Sequence, residues 1–567
     1  MDKKLLKIGD SIFDSQIAGD YYYVDKSLLI KNLFDRPAEV TLITRPRRFG
    51  KTLNMYMLKS FFEYNCELRK DNASKRHLFK DLKIEQAGER YLKHFGQYPV
   101  IFLSFKEAKA SKWEQSYNAI KECFYAEYER HINIAGSERL TEAKKIRFRR
   151  FLDRAALDSD FPSAIKFLSD CLDDHYGKPV VILIDEYDVP LDAAHNGGFY
   201  DAMLDLIRSM FSSSLKDNGS LAFAVMTGCL RISQESIFTG LNNPVMASIA
   251  SYDYSEYFGF TQEEVDEMLK YYGLEGKREE IREWYDGYLF GDVTVYNPWS
   301  VIKRVTDLLV KYDRAPELYW ANTSGNDIIR KLVDRVANDD AKYELETLMA
   351  GGTIEKPINE NITYNDIDKG SIDNLWNFLF FTGYLKKVGE NFEGEQRKFV
   401  LSIPNKEVFH IYRTQISQWF NKTLENNNIP REFIQALIAG DKETAQKRLS
   451  AMLMKSISYF DAAESYYHGF LTALFTNVKG YEVKSNRETG DGRCDIFMRP
   501  YSRELPVILI EAKIAPTYSS MAAKCKEALQ QIEDNRYADE FIEDGFSNIL
   551  KYGIAFYKKE CLVEFRV

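Results

Sequence analysis

Short apolar runs alternate with amphipathic helical patterns over the first 230 residues of the chain. The apolar runs of strand length are Glu39–Thr44, Tyr98–Phe105, Val180–Asp185 and Leu221–Thr227. Apolar residues at helical spacing predict helices over about 113–131, 142–158, 162–175 and 199–214. Strands that alternate with helices are typical of a parallel sheet with helices on both faces. The predicted fold class is therefore α/β, with a parallel sheet in the N-terminal part of the chain.

The first predicted strand is followed by the sequence RPRRFGKT and then by a helical pattern. Gly50 lets backbone N–H groups approach a phosphate closely, and the start of a helix adds the positive end of its dipole. Lys51 is placed to reach the β- and γ-phosphates of a nucleotide, and the Thr52 hydroxyl to ligate Mg²⁺. Arg45 stands where the phosphate-loop pattern G-x-x-x-x-G-K-[ST] has its first glycine. A basic turn that caps a helix stays an alternative interpretation.

Polar residues also follow two later strands. The run VVILIDEYDVP ends in Asp185, which suits a Mg²⁺-bound water, and Glu186, which suits a general base for attack on a γ-phosphate. Thr227 ends another strand and is a candidate sensor of the γ-phosphate. Arg231 is a candidate to neutralise charge there or to act across a subunit boundary as an arginine finger, with a local pair to Glu235 as the alternative. These positions agree with the rule that ligands of parallel sheets bind at the carboxyl ends of the strands.

The middle of the chain is predicted to be mostly helical. Thr261 and Glu264 have the spacing of a capping box, and Asn297 with Pro298 predicts the start of a helix that runs to about 311. The apolar segment 375–385 must be buried, and a winged-helix-like module there is a hypothesis. Aromatic groups at 284–288 and 296–299 are interpreted as packing, with base stacking as the alternative. The predicted domains are 1–260, 261–430 (a lid with the possible module), 431–459 (a connector) and 460–567.

The last hundred residues form a second α/β pattern. Its predicted elements are a helix from Asp461 to about Thr476, strands at Tyr481–Ser485, Cys494–Met498 and Val507–Glu511, a helix over about 518–534, and two final strands. Glu464 on the first helix is a candidate additional acidic residue of a site on these strands, and Gln531 on the second helix is a candidate to orient that site. His468 is assigned to helix packing.

Asp495, Glu511 and Lys513 carry the candidate chemistry of this pattern. Residues two apart in a strand lie on the same face, so Glu511 and Lys513 are expected side by side. Two carboxylates that converge on a hard cation form a Mg²⁺ site, and a neighbouring lysine helps to generate hydroxide or stabilises charge on a phosphate. Such a site suits hydrolysis of a phosphodiester. A solvated strand end with an ordinary Glu–Lys pair is the alternative.

Composition limits the classes of function. A chain of 567 residues has room for three or four domains, and a net charge of −9 requires any nucleic-acid site to be a local basic surface. The seven cysteines include no C-x-x-C pair, so neither a zinc knuckle nor a disulfide framework is expected, and free thiols suit a reducing cytosol. No apolar run of signal-peptide or membrane-spanning length is found, and a cytoplasmic protein without a membrane partner is expected.

The segments YYYVDKSLLI, RPRRFGKT, LIDEYD and TGCLRISQESIFTGLNN together resemble the bacterial AAA-ATPase-like family. Proteins of that family carry a PD-(D/E)XK nuclease-like domain at the C-terminus, and the resemblance covers most of the chain. It implies ATP and Mg²⁺ as cofactors. It also implies that Arg45, Arg48 and Phe49 bind the nucleotide together with Gly50 and Lys51.

The resemblance extends to two further places. In the C-terminal domain it implies that Asp495, Glu511 and Lys513 are the nuclease residues, with Cys494 where the family has proline. Near the N-terminus it implies that Asp25 and Lys26 lie close to the base or ribose. A surface helix cap with a solvated lysine is the alternative there.

Three functional hypotheses stay open. The first is an ATPase fused to a Mg²⁺-dependent nuclease that acts on DNA or RNA, with DNA preferred, in defence or in processing of mobile elements. The second is a nucleotide-gated module that binds nucleic acid or protein without cleavage. The third is a signalling NTPase without a nucleic-acid partner. Assembly into a homo-oligomer is an additional hypothesis.

Overall fold

The computed structural model describes residues 3–64, 73–230, 244–320, 339–360, 372–394, 396–425, 429–455, 480–489 and 492–567, with a few isolated positions between them. Arg231, Glu464 and His468, which were candidates from the sequence, lie outside these residues. The chain divides into two compact units, Met1–Gly325 with Glu355–Val408 and Asn326–Ile354 with Phe409–Val567. Residues 261–320, predicted as part of a separate lid domain, group with the N-terminal unit.

The N-terminal unit is built on a parallel sheet. In the described residues its strands are β1 (Val40–Thr44), β2 (Val100–Ser104), β3 (Val180–Asp185), β4 (Leu221–Gly228) and β5 (Val245–Ala247). They lie in the order β2-β3-β4-β1-β5, and every pairing is parallel. The parallel α/β sheet is thus confirmed. β5 was not predicted, since three residues are too few to give a periodic signal.

Helices cover this sheet and form most of the middle of the chain. They are α1 (Phe13–Ala18), α2 (Leu28–Asp35), α3 (Lys51–Phe62), α4 (Ala73–Arg76), α5 (Glu89–Leu92), α6 (Trp113–Arg130), α7 (Glu142–Leu152), α8 (Ala164–Tyr176), α9 (Val189–Gly197), α10 (Tyr200–Leu215), α11 (Gln262–Tyr272), α12 (Arg278–Tyr285) and α13 (Pro298–Val310). The helix predicted to reach residue 158 ends at Leu152, because Arg154 takes a left-handed conformation with φ of 55°.

The edge strand β2 is bordered by side chains of α6. Phe102 N–H donates to Oε1 of Glu127 at 2.8 Å. The Val100 carbonyl accepts from the Arg130 guanidinium and lies 3.2 Å from Nε2 of His131. Arg130 also pairs with Glu127 and with Glu63, which follows α3. This network joins α6 to the sheet through buried charges.

Two predicted helix starts in the middle of the chain are confirmed. Glu264 N–H donates to Thr261 Oγ1, and Thr261 N–H donates to Oε2 of Glu264 at 2.8 Å, which completes the capping box. Asn297 Oδ1 accepts from Ser300 N–H at the start of α13. The remaining elements of this region are β6 (Tyr288–Phe290), β7 (Val293–Val295), β8 (Ile354–Pro357), α14 (Asp339–Met349), α15 (Ile372–Phe381), β9 (Lys386–Glu393), β10 (Gln396–Ser402) and α16 (Lys406–Glu425).

The C-terminal unit contains a mixed sheet. In its described part the strands are β11 (Tyr481–Thr489), β12 (Gly492–Pro500), β13 (Val507–Ile514), β14 (Ile549–Tyr557) and β15 (Glu560–Arg566), in that spatial order. Only β13 and β14 are parallel among these pairs. The helices are α17 (Ile429–Ala439), α18 (Lys442–Lys455), α19 (Met521–Asp534) and α20 (Asp539–Glu543).

The two faces of this sheet have separate apolar cores. Ile496, Ile508 and Ile510 pack with α17 and α18, whereas Phe497 and Leu509 pack with α19 and α20. Strand alternation therefore places Asp495, Glu511 and Lys513 on the same face as α19. Within the described part of the chain, no helix combines the length and the apolar character needed to cross a membrane.

Candidate functional site

The loop between β1 and α3 turns on Gly50. This residue is the N-cap of α3 and has a left-handed φ of 80°. A Cβ there would meet no atom within 4 Å, so the backbone conformation rather than lack of space favours glycine. Lys51 and Thr52 follow in the first turn of the helix, where free N–H groups and the helix dipole favour an anion.

The Lys51 ammonium is folded back onto the loop. Nζ donates to the carbonyl oxygens of Arg45 and Pro46, each at 2.9 Å, and lies 3.6 Å from Sγ of Cys229. The side chain is buried. Its charge opposes the effect of burial on the pKa of both Asp185 and Glu186. The ammonium therefore lies at the loop and close to the acidic end of β3.

Asp185 brings together residues from three elements. Its Oδ2 accepts from Thr52 Oγ1 at 2.8 Å, and its Oδ1 accepts from Thr227 Oγ1 at 2.5 Å. The side chain is 0% exposed, and this burial raises the pKa of the carboxyl. A hydroxyl and a carboxylate within hydrogen-bonding distance are hard oxygen donors of the kind that Mg²⁺ binds in nucleotide sites. Thr52 and Asp185 thus fit the metal ion that was expected from the sequence.

Glu186 has an unusual backbone conformation. It is a non-glycine residue with φ of 55°, a region that such residues rarely adopt and that is often found at functional sites. Burial, followed by the charge of Asp185, raises the pKa of its carboxyl. A carboxyl that is partly buried and has a raised pKa is suited to accept a proton.

Asp188 is a residue of this site that the sequence reasoning missed. Its Oδ2 accepts from the N–H groups of Cys229 and Leu230, at 2.8 and 3.1 Å. Its Oδ1 has no hydrogen-bond partner in the described structure, although the side chain is only 3% exposed. Asp188 thus fixes the turn that follows Thr227. The only available signal was a third acid, three residues after Asp185.

Two loop residues that were expected to bind the nucleotide have other partners. The Arg45 guanidinium is buried and donates to the carbonyls of Ala247 and Asp253, at 2.8 and 3.1 Å, and burial lowers its pKa to about 9. Phe49 is fully buried against the rings of Tyr288 and Phe290. Both side chains are thus held in packing contacts, and a role of these two residues in nucleotide binding stays a prediction. Their position on the loop could be read from the sequence, but the side to which they point could not.

Arg48 differs from its neighbours. It is exposed, has a left-handed φ of 71°, and places its guanidinium 4.3 Å from the centre of the Trp299 ring. Its charge is close enough to Glu186 for the two to interact. Arg48 therefore stays a prediction as a nucleotide-binding residue.

Asp25 and Lys26 connect the N-terminal segment to other elements. Lys26 Nζ donates to Oε2 of Glu264 at 2.6 Å and to the Glu256 carbonyl at 2.7 Å, and the side chain is buried. Asp25 accepts from the N–H groups of Ser27 and Lys83. The alternative of a solvated lysine is therefore wrong. Lys26 joins this segment to the capping box of α11.

The C-terminal candidates meet where β12 lies beside β13. Asp495 Oδ2 accepts from Ala512 N–H at 2.9 Å, and Asp495 N–H lies 3.4 Å from Oε2 of Glu511. Lys513 Nζ donates to Oε1 of Glu511 at 3.0 Å. Burial, and then the charge of Asp495, raises the pKa of Glu511 to about 7. A buried carboxyl beside a half-buried one, whose charge opposes its ionisation, fits a divalent cation.

Other groups were expected to complete this pair. Among the described residues, no cluster of three or more His, Cys, Asp or Glu side chains is arranged to hold a metal ion. Gln531 donates to Tyr537 Oη, in the apolar cluster beside α19, rather than to Asp495 or Glu511. The expectation that Gln531 orients the site is therefore not supported. Among the described residues, Asp495 and Glu511 are the pair of carboxylates placed to meet an ion here.

Gly553 lies beside Glu511 in the neighbouring strand. A Cβ on Gly553 would be 2.4 Å from the Cys525 carbonyl oxygen and 3.2 Å from Cβ of Ala528. Glycine thus lets α19 pack directly against the sheet next to the carboxylate pair. This contact excludes water from one side of Glu511, which is consistent with the raised pKa.

Comparisons with known proteins find family matches for the two regions that contain these candidate sites. Residues 7–238 match the family described as a predicted AAA-ATPase, and residues 462–566 match the PD-(D/E)XK nuclease superfamily. The chain is 26% identical over 552 residues to an uncharacterized protein in the vnfD 5′ region of Azotobacter chroococcum mcd 1, which covers 95% of this chain and 94% of the relative. No solved structure matches the chain significantly.

Proposed function

We propose that the AAA-ATPase-like region of this chain hydrolyses Mg·ATP. We also propose that the PD-(D/E)XK nuclease superfamily domain cleaves phosphodiesters in nucleic acid, with DNA as the preferred substrate. The observation that carries the proposal is the meeting of Thr52, Thr227 and Asp185 beside Lys51. A role in defence or in processing of mobile elements stays a prediction.

In the N-terminal unit each residue has a defined task. Lys51 exchanges its two carbonyl partners for phosphate oxygens, and the amides at the start of α3 bind the same group. Thr52 and Asp185 hold Mg²⁺, which when bound neutralises charge on the β- and γ-phosphates. Glu186 accepts a proton from the attacking water, and Thr227 fixes the Asp185 carboxylate.

In the C-terminal unit Asp495 and Glu511 hold the divalent ion, which when bound supplies Lewis-acid chemistry. Glu511 also orients Lys513 through the bond of 3.0 Å. Lys513 is thus placed to donate to a phosphate oxygen and stabilise the charge that develops during cleavage. Ala512 N–H donates to the Asp495 carboxylate and so holds Asp495 against β13, next to Glu511.

The test is an assay of the full-length chain on linear and circular DNA and RNA, single- and double-stranded, with and without ATP and Mg²⁺. We expect cleavage that EDTA abolishes and that Asp495→Asn reduces by about a hundredfold or more. Asp539→Asn, a change at an exposed aspartate of α20, is the matched control and should cleave normally. Wild-type protein that binds the metal but cleaves no substrate would refute the nuclease part.

A second candidate function is nucleotide-gated binding without cleavage. This candidate is favoured because, among the described residues, the C-terminal site has two carboxylates, Asp495 and Glu511, and no third acidic side chain beside them. Binding through phosphate contacts would weaken with added salt, with a linear log–log slope, and would give no products. The same substrate panel, read by electrophoretic mobility as well as by cleavage, separates the two candidates.

A further inference from the structure

The loop RPRRF makes contacts with the middle of the chain at each of its five positions. Arg45 binds the carbonyl of Ala247 and stacks near Phe258 and Phe290, and Phe49 packs on Tyr288. Pro46 packs against Gly383, where an added Cβ would lie 3.0 Å from the proline ring. Arg47 contacts Trp320, and Arg48 contacts Trp299. A loop of this kind has its conformation fixed from outside, by side-chain packing.

Two tryptophans contact the adjacent arginines at the centre of this loop. The indole N–H of Trp320 donates to the Arg47 carbonyl at 3.3 Å, and its side chain is only 1% exposed. The Trp299 ring lies under the Arg48 guanidinium at 4.3 Å. One tryptophan therefore binds the loop backbone, and the other binds a loop side chain.

One buried carboxylate supports both tryptophans. Oε1 of Glu407 accepts from the backbone N–H of Trp320 at 2.7 Å, and Oε2 accepts from the hydroxyl of Ser300, the neighbour of Trp299, at 2.8 Å. Glu407 is 0% exposed and lies in the first turn of α16. The indole N–H of Trp299 donates to the Tyr319 carbonyl, which closes the connection between the two tryptophans.

We propose that Trp299 and Trp320, held by Glu407, are positioning residues that order the phosphate loop before nucleotide binds. A flexible loop loses conformational entropy when it closes on a ligand, whereas a loop that is already ordered loses less and binds more tightly. We call Trp299, Trp320 and Glu407 the clamp. The clamp thus orders a loop in which Arg45 replaces the first glycine of the phosphate-loop pattern. Its contribution to nucleotide affinity rests on the proposed ATP binding, but its effect on the loop does not.

Hydrogen–deuterium exchange of the full-length chain without nucleotide tests the clamp directly. In Trp320→Phe an aromatic ring remains but the bond to Arg47 is lost, so amides of peptides over 45–54 should exchange about five- to tenfold faster. Trp284→Phe, which changes a partly buried tryptophan beside the Tyr285 ring, is the control and should leave these amides unchanged. Unchanged loop exchange in Trp320→Phe, or an equal increase throughout β1–β4, would overturn the proposal.

A nucleotide arm shows whether the ordered loop serves binding. We expect Trp320→Phe to raise KM for ATP about five- to tenfold while kcat changes less than twofold, because the clamp acts before the chemical step. A fall in kcat at unchanged KM would contradict this role. Calorimetry of wild-type protein with Mg·ATP is run in parallel: absence of heat would refute the proposed ATPase, while the exchange result would still decide whether the clamp orders the loop.

Discussion

The Thr52 hydroxyl donates to the Asp185 carboxylate at 2.8 Å, although the two residues are 133 positions apart in sequence. Thr52 follows β1 and Asp185 ends β3, and β4 lies between these strands in the sheet. Thr227 lies one residue before the end of β4 and donates to the second oxygen of the same carboxylate. Three neighbouring strands therefore deliver one carboxylate and two hydroxyls to a single point.

We expect Asp185→Asn to lose Mg²⁺-dependent turnover while it keeps nucleotide affinity in EDTA. The amide still bonds to the two hydroxyls but lacks the charge that holds the ion, so hydrolysis should fall by about a hundredfold or more. Steady-state hydrolysis over a Mg²⁺ titration, with nucleotide binding measured in EDTA, checks this outcome. Asp201→Asn, at an exposed residue of α10, should behave as wild type.

Glu186→Gln should trap the nucleotide. The substitution keeps size and hydrogen bonding but removes the proton acceptor, so hydrolysis should slow by about 10²- to 10⁴-fold with little change in ATP affinity. Single-turnover hydrolysis and calorimetry on the same sample provide the two measurements. Normal turnover in this variant would assign the base to another group.

Metal binding to the C-terminal pair should release protons. Burial and the charge of Asp495 raise the pKa of Glu511 to about 7, so below that pH the ion must displace a proton. Mg²⁺ affinity should rise with pH, by up to about tenfold per pH unit below 7, and level off above it. Calorimetry at pH 6 and pH 8, in buffers of different ionisation enthalpy, measures the release.

The matched pair for this titration is Glu511→Gln and Glu543→Gln. The first removes the titrating group and should abolish the pH-dependent proton release, whereas the second alters an exposed glutamate of α20 and should preserve it. Release of equal size at both pH values in wild-type protein would place the titrating group elsewhere.

Gly553→Ala should destabilise the C-terminal unit. The added Cβ would meet the Cys525 carbonyl at 2.4 Å, so α19 or β14 has to move, at a cost of about 1–3 kcal/mol. Urea unfolding of the full-length chain, followed by the exchange of amides in β13 and β14, measures the effect. Gly219→Ala adds a Cβ with no neighbour within 4 Å and should leave these amides unaffected.

Glu407 should make the N-terminal unit less stable as the pH rises. Burial raises its pKa to about 7, from 4.5 in the unfolded chain, so the folded state retains a proton that the unfolded state has lost. The free energy of unfolding should therefore fall by about 3 kcal/mol between pH 4.5 and pH 7. The free energy of unfolding, measured in urea at pH 5 and pH 8, should show this fall in wild-type protein but not in Glu407→Gln. The exposed-site variant Glu275→Gln should follow wild type.

The sequence predicted the sheet and its acidic strand ends because both depend on local patterns. Apolar runs predicted β1 to β4. Because the strands are parallel, Thr52, Asp185 and Thr227, which lie at or just past strand ends, had to meet at one edge of the sheet. The same rule of alternation placed Glu511 beside Lys513.

Residues whose role depends on the direction of a side chain could not be predicted in this way. Arg45 and Phe49 are neighbours of Lys51, yet both pack against rings that lie up to 245 residues later in the chain. Lys26 meets Glu264 across a similar separation. Asp188 acts through two N–H groups after β4, and no local pattern connects it to them.

The border of the sheet at β2 has a consequence for assembly. Strand addition by another chain needs main-chain donors and acceptors that face outward, and those of Phe102 and Val100 are already bound by Glu127, Arg130 and His131. A second molecule therefore cannot prolong this sheet at these residues. A partner chain or peptide that docks at this border has to use helices and loops instead, and aggregation by edge-to-edge growth is blocked there.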